Sequence, residues 1–495
     1  MIDQQSIDRL RHQPVPPAQL LIDGVGIESA SGQRLSIVSP IDGQELTTIA
    51  AGTAADTEHA IAAARAAFED GRWSRMAPAA RKAVMHKWAD LIQQNALELA
   101  VLGVRDNGTE IGMAFRAEPG SASATIRYYA ETIDKLYGEI APTPDNILGL
   151  IHKQPVGVVA AIIPWNFPMM IGAWKLGPAL ATGNSVVVKP PESASLSLLR
   201  MCQLGLEAGI PAGVLNVVTG KGSVVGETLA LSNDVDVLVF TGSGGVGRRI
   251  NENAAKSNLK RTYLELGGKS ANVVFADCPD IAAAVQGSAS GIFRNSGQVC
   301  VAGSRLLVER RIHDQFVEAL AKTATQMNVG DPLDMTSDVG AVHSAEQLEM
   351  DLQAVQQARQ DGADVVCGGS RLDLGNAGYY MSPAVVTAVA PEADLFQNEV
   401  FGPVLAVTAF DDEEEAIALA NNSVYGLAGG LWTRDISRAH RVVGAMNTGV
   451  VHVNGYGSVD ITCPLGGVKQ SGNGHDKSLH ALDKYLNLKT AWFQL

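Results

Sequence analysis

Apolar residues along the chain follow two periods in turn. Between residues 79 and 108, Val84, Trp88, Leu91 and Ile92 fall at i, i+4, i+7 and i+8, one stripe of a long helix that buries a single face. Residues 57–71 read the same way, and the stretch before them reads as irregular. Beyond Pro155 the pattern changes to short apolar runs separated by helical segments. These are VGVVAAII at 156–163, VVVK at 186–189, a helix over 195–209, NVVTG at 216–220 and VDVLVFTG at 235–242. A second series begins with SANVVFAD at 270–277 and continues through RLLVE at 305–309, ADVVCGG at 363–369 and VLAVTAF at 404–410, ending with GVVHVN at 449–454. Such alternation predicts parallel sheets covered by helices on both faces, so two α/β units share the chain. Residues 136–153 and the tail YLNLKTAWFQL fit neither unit. Both alternate weakly, as edge strands do, and a terminal strand carrying Trp492 and Phe493 is expected to pair with something.

Length and charge narrow the class. A chain of 495 residues is two or three compact units, and 46% hydrophobic against 18% charged residues excludes disordered and coiled-coil readings. A formal charge of -14 argues against a nucleic-acid partner, which needs a basic surface. Cys202, Cys278, Cys300, Cys367 and Cys463 are odd in number and never form a CxxC pair, so neither a disulfide framework nor a metal site is indicated. The uncharged run from Pro155 to Trp174 has the length of a membrane span, but Pro164, Asn166 and Pro168 interrupt it. A strand, a turn and a buried helix explain it better. The first 13 residues carry Asp3, Asp8, Arg9 and Arg11 and no apolar core of a signal peptide, so a cytoplasmic location without a membrane partner is expected.

Four segments carry candidate chemistry. Gly242, Gly244 and Gly247 spell GxGxxG between the strand VDVLVF and the helical VGRRINENAA, with Glu265 about twenty residues further on. Either this is a tight strand-to-helix turn, or it brings backbone amides and a helix N-terminus to a pyrophosphate. It follows about the fourth strand of its series, whereas the dinucleotide fingerprint belongs to the first. Cys300 in NSGQVCVAG is either a small buried hydrophobe or a thiolate nucleophile. ELGGKS places the Glu265 carboxylate before two glycines, as a solvated turn or as a base with room in front of it. PWNFP holds Asn166 in a stiff loop that could aim its amide at an oxyanion.

Together these segments resemble the NAD(P)-dependent aldehyde dehydrogenase superfamily. The marks are PWNFP followed by Lys175 in AWKLGPAL, VVVKPPE, FTGSGGVG, ELGGKS, GQVC, EVFGPVL and PLGGVKQSGNG, in the family's order over roughly the whole chain. IRYYAETIDKLYGEI, SANVVFADCPD and KQSGNGHDKSLHALDKY further resemble the branch that oxidises gamma-glutamyl-gamma-aminobutyraldehyde and related aminoaldehydes. The resemblance implies an α/β fold with a Rossmann-like NAD-binding domain from residues 1–134 and 155–264. It implies a catalytic domain from 265–466 and a small β oligomerisation arm from 135–154 and 467–495, the arm making a homodimer or homotetramer.

The same resemblance implies the chemistry. Cys300 would attack the aldehyde, the Asn166 amide and the Cys300 backbone N–H would hold the oxyanion, and Glu265 would activate the water that hydrolyses the thioester. Lys175 would orient that base or depress the thiol pKa. NAD would be preferred, with Lys189 and Glu192 on the adenosine ribose, Ser243 and its turn at the pyrophosphate, and Glu399 with Phe401 at the nicotinamide end. Ile163, Pro164, Trp165, Gly222, Phe240, Thr241, Gly242, Gly247, Leu266 and Gly267 would complete the cofactor site.

Departures from the family pattern bear on the substrate. Leu465 and Val459 stand where many relatives carry aromatics, residues 108–112 read GTEIG instead of the commoner Gly-Lys-Pro, and His475 replaces a frequent Arg. A pocket with fewer rings suits a longer or more polar aldehyde. Glu118 and Asp460 are expected at the tunnel mouth, where they would concentrate an amine-bearing substrate. Other readings are a broad-specificity aliphatic or semialdehyde dehydrogenase, a Rossmann alcohol dehydrogenase with a structural Cys300, an acylating enzyme that uses coenzyme A, and a noncatalytic structural relative.

Overall fold

The first apolar series forms an eight-stranded sheet in a computed structural model that describes residues 2–457 and 460–495. Its centre is five parallel strands, in the order Leu215–Val217, Ser185–Lys189, Val158–Ile162, Val237–Thr241 and Arg261–Glu265. The chain starts at Val158–Ile162, winds outward through two strands on one side, then returns to lay Val237–Thr241 on the other. Strand order therefore reverses between Ile162 and Thr241. In open α/β sheets that reversal leaves a crevice at the carboxyl ends of the strands, which is where ligands bind. Every residue of the three innermost strands is buried, as a sheet covered by helices on both faces requires.

The second series forms a seven-stranded sheet. Ala384–Thr387, Val404–Phe410, Arg305–Glu309, Ala271–Val274, Ala428–Trp432 and Val450–Val453 run parallel, and Asp364–Cys367 pairs antiparallel at one edge. The third sheet joins the two leftover pieces. Leu486–Gln494 runs antiparallel to Ile147–Pro155, from Leu486 opposite Pro155 to Gln494 opposite Ile147, with Glu139–Ala141 beyond. On its outer side the terminal strand has no neighbouring strand among the described residues, and Leu488 and Trp492 are 71% and 65% exposed.

The structure departs from the sequence reading at several places. The opening is not irregular: Asp3 caps a helix at Gln4–Arg11, and two hairpins follow, Leu20–Ile22 with Val25–Ile27 and Arg34–Val38 with Glu45–Ala50. Strands of three residues are too short to show a period. The long helix is two, Pro78–Gln94 and Ala96–Asn107, because the Asn95 side chain turns back to donate to the Leu91 carbonyl at 2.7 Å. The tail does not enter the arm as a unit. Gly472–Asn473 adds to the first sheet beside Glu265, Ala481, Leu482 and Tyr485 are buried in the core, and Leu486–Gln494 is the part that forms the arm strand. No helix is long and apolar enough to cross a membrane, among the described residues.

Candidate active site

The crevice at the strand reversal is a cleft of about 760 Å³. Of the residues expected at the cofactor, Ile163, Pro164, Trp165, Lys189, Glu192, Gly222, Phe240, Thr241, Gly242, Ser243, Leu266, Gly267, Glu399 and Phe401 line it, and so do Asn166 and Cys300. Gly247 does not. It packs beneath the floor, where an added Cβ would stand 2.8 Å from Leu266. Gly242 is likewise a packing glycine, since a Cβ there would meet the Phe240 ring at 2.4 Å, whereas Gly245 has open space in front of it. Thus the GxGxxG spacing reflects a crowded strand-to-helix turn, with Ser243 capping the helix Gly244–Lys256 through the Val246 N–H at 3.5 Å.

The walls are held by specific bonds. Glu192 accepts from the Gly222 N–H, and Lys189 donates to the Pro190 carbonyl at 3.0 Å. Across the cleft, Glu399 accepts from the Gly268 N–H at 2.9 Å. Trp165 stacks on His343 at 4.2 Å between ring centroids and meets Phe401 edge-on at 5.3 Å. Burial raises the Glu399 carboxyl to about 7 and lowers the Lys189 ammonium to about 8. The Thr241 hydroxyl is buried without a partner.

Cys300 follows a left-handed turn in which Asn295, Ser296 and Gly297 all have positive φ. Gly297 is required: a Cβ there would stand 2.0 Å from the Gly402 carbonyl. Gln298 locks the turn, donating to the Asn295 carbonyl at 3.0 Å and accepting from the His343 N–H at 2.8 Å. The GTEIG departure belongs here too, because Thr109 donates to Asn295 at 2.7 Å and Glu110 accepts from the Asn295 N–H. Asn166 donates to the Gln298 carbonyl at 2.9 Å, which fixes its amide beside the cysteine loop and leaves its second N–H to other acceptors. Burial, then Glu399 and Glu265, push the Cys300 thiol up to about 12.

Glu265 ends the strand Arg261–Glu265 and does not line the cleft. Its carbonyl accepts from the Gly242 N–H at 3.0 Å, and its Oε2 has no partner. Burial and the Asp476 charge raise its pKa, opposed by Lys175 and Lys484. Both ammonium groups bond Asp476, Lys175 at 2.9 Å and Lys484 at 2.5 Å. Asp476 and Lys484 were missed in the sequence because nothing there connects them to Lys175, some 300 positions away.

Val299 and Val301, on either side of Cys300 in the chain, join Phe167, Ile171, Trp174 and Leu465 in an apolar cluster, a candidate wall for an aldehyde passage. Glu118 is not at its mouth. The side chain is 3% exposed and accepts from the Met169 and Met170 N–H groups at 2.7 and 2.9 Å, capping the helix that follows Asn166. Asp460 is exposed and binds its own loop through Thr462, and Val459 lies outside the described residues. Among the described residues no group of three or more His, Cys, Asp or Glu could hold a metal ion.

Comparison with known proteins agrees over nearly the whole chain. The profile of the Aldehyde dehydrogenase family matches residues 27–491. The NADP/NAD-dependent aldehyde dehydrogenase PuuC of Escherichia coli is 46% identical over 477 residues, 96% of each chain. The structure of an indole-3-acetaldehyde dehydrogenase from P. syringae in complex with NAD+ and IAA superposes with a TM-score of 0.98 at 46% identity, covering 100% of both chains. A gamma-glutamyl-gamma-aminobutyraldehyde dehydrogenase from Burkholderia cenocepacia gives 0.97 at 45%, again over 100% of both.

Proposed function

Because this chain belongs to the aldehyde dehydrogenase family, and so oxidises aldehydes with a nicotinamide dinucleotide, we propose that it does so through Cys300, Asn166 and Glu265 with NAD as the preferred acceptor. The observation that carries the reading is that one cleft is lined by a half-buried thiol, by an amide donor fixed against the thiol's loop, and by the residues expected at a dinucleotide. The cleft suits the cofactor. It offers an unpartnered Thr241 hydroxyl, a helix N-terminus capped by Ser243, open space at Gly245, and the carboxylates of Glu192 and Glu399 in its lining. Bound NAD supplies the acceptor for the aldehyde hydride.

The chain's own residues account for the remaining steps. The Cys300 thiolate forms a C–S bond to the aldehyde carbon, and the carbonyl electrons move to oxygen, where the free N–H of Asn166 and the Cys300 backbone N–H stabilise them. Each such donor contributes roughly 3–4 kcal/mol in comparable sites. Loss of the hydride re-forms the carbonyl as a thioester. Glu265 Oε2, which has no other partner, then takes a proton from water as the oxygen attacks, and the C–S bond breaks to release the acid and the thiolate. Raised by burial, Glu265 is a stronger base once ionised than a solvated carboxylate, and Lys175 and Lys484 keep the ionised form accessible.

The substrate reading is an aldehyde with a nitrogen-bearing polar tail, an amine or its gamma-glutamyl amide. It is supported by the likeness to the B. cenocepacia enzyme and by a wall in which Leu465 replaces a ring. The exposed Leu488 and Trp492 and the open outer edge of the terminal strand support a homodimer or homotetramer. NADH production over a panel of aldehydes with Cys300→Ala as control tests the reading. We expect turnover by the native enzyme and none by the variant; residual turnover in Cys300→Ala would refute the thioester route.

A further inference from the structure

Residues 340–343, just before the helix Ala345–Gln360, are each fastened to another part of the molecule. The Gly340 carbonyl accepts from the Ser296 hydroxyl at 2.9 Å, the Ala341 N–H donates to the Gly108 carbonyl at 3.1 Å, and the Val342 N–H donates to the Tyr379 carbonyl at 2.7 Å. His343 comes next. Its backbone N–H donates to the Gln298 side chain at 2.8 Å, and the residue is 7% exposed. The imidazole is thus a buried titratable group on a rigid support, and the chemistry proposed above does not use it.

The ring touches two of the residues that line the cleft. It lies flat on Trp165, with 4.2 Å between centroids and 8° between planes, and Phe401 meets the same indole edge-on. Its Nε2 shares a hydrogen bond with the Ser193 hydroxyl at 2.6 Å, and Ser193 lines the cleft next to Glu192. Trp165 adjoins Asn166 in PWNFP, where Pro164 and Pro168 restrict the backbone on both sides, so an indole held in place leaves the amide little freedom. Asn166 in turn donates to the Gln298 carbonyl, and Gln298 is the residue whose side chain the His343 N–H meets. One residue therefore contacts the cofactor wall, the oxyanion loop and the cysteine loop. Burial lowers the imidazole to about 4, so through the neutral range it stacks without adding a charge to the site.

We propose that His343 is a positioning residue for the oxidation: its ring props Trp165, and with it the Asn166 loop, while its bond to Ser193 ties that support to the cofactor wall. The inference rests on the roles given above to Asn166 and the cofactor cleft, and it adds a residue that does not itself line the cleft. The two contacts of the ring separate in the kinetics. The stack serves the amide that meets the oxyanion, so its loss appears in kcat. The Ser193 bond serves the wall on which the cofactor rests, so its loss appears in KM for NAD.

The test compares the wild-type enzyme with His343→Phe, His343→Gln and His343→Ala on one aldehyde that the wild type oxidises, with NAD varied. His343→Phe keeps a flat ring on Trp165 and loses the Ser193 bond, so kcat should stay within about threefold while KM for NAD rises by about threefold or more. His343→Gln and His343→Ala remove the ring, and kcat should fall roughly tenfold or more in both. Iodoacetamide should inactivate His343→Ala within about twofold of the wild-type rate, because the backbone N–H to Gln298 remains and still holds the cysteine loop. Wild-type kcat in His343→Ala, an equal loss of kcat in His343→Phe, or a KM for NAD unmoved in His343→Phe would overturn the inference. So would a change in inactivation rate as large as the fall in kcat, which would mean general disorder of the cysteine loop. If His343→Ala does not fold, His343→Gln against His343→Phe decides. Absence of NADH from every aldehyde in the wild type would instead remove the functional reading on which the inference stands.

Discussion

Asp476 accepts a hydrogen bond from Lys175 at 2.9 Å with both side chains 1% exposed, and Lys484 closes on its other oxygen. Three buried charges thus sum to one positive, and Glu265 is close enough to feel all three. Removing the carboxylate leaves two desolvated cations without compensation. Asp476→Leu should lose about 3–5 kcal/mol of stability. Asp476→Leu combined with Lys484→Met should recover part of that loss, which chemical denaturation of the two variants would show. Equal stabilities would contradict the ion-pair account.

The thiol pKa predicts how the free enzyme reacts with alkylating agents. With Cys300 pushed up to about 12, the thiolate fraction in the absence of cofactor keeps growing with pH through the neutral and mildly alkaline range. Iodoacetamide inactivation should therefore accelerate steadily from pH 7 to pH 10 without a plateau. Glu399→Gln removes one of the two carboxylates that raise the pKa and should speed inactivation at a given pH. A plateau near neutrality would contradict this environment.

Glu192 reports on cofactor choice. Its carboxylate accepts from the Gly222 N–H in the cleft wall, and with the adenosine ribose placed there as proposed above, a 2′-phosphate would meet a like charge. NAD should give the higher kcat/KM, and Glu192→Gln should raise the NADP value several-fold while leaving NAD within a few-fold. Equal use of NAD and NADP by the unmodified enzyme would refute the assignment.

Glu118 predicts a pH dependence of stability. Burial raises its carboxyl to about 8, so the folded protein holds a proton that the unfolded chain releases near the ordinary carboxyl value of about 4.3. Above that unfolded value the native state binds more protons, and stability falls as pH rises until it passes the folded pKa. Tm should decline from pH 6 to pH 9. Glu118→Gln keeps an acceptor for the Met169 and Met170 N–H groups and should flatten the decline. An identical slope in the variant would show that other groups, Asp351 first among them, carry the effect.

Which parts of this structure could be read from the chain follows from where the constraint lies. The parallel strands were readable because each is a short apolar run between helices, and RLLVE and VLAVTAF coincide with their observed strands. Cys300 and Asn166, expected at one site from the loops that hold them, do line one cleft, whereas Glu265, the last residue of its strand, does not. The first N-terminal hairpin was not readable, its strands of three residues being too short for a period. Nor were Lys484 and Asp476, whose partner lies in a helix far away in sequence. Glu118 was misread because sequence gives a carboxylate's position but not its exposure: a helix N-terminus, invisible as a ligand until the chain folds, has taken it inside.

The central claim is that Cys300 forms a thioester which Glu265-activated water hydrolyses, and pre-steady-state NADH formation by Glu265→Gln tests it most directly. The account predicts a rapid burst close to one NADH per active site, followed by a steady state at least tenfold slower than that of the unmodified enzyme. A variant that shows no burst and turns over at the unmodified rate would contradict it.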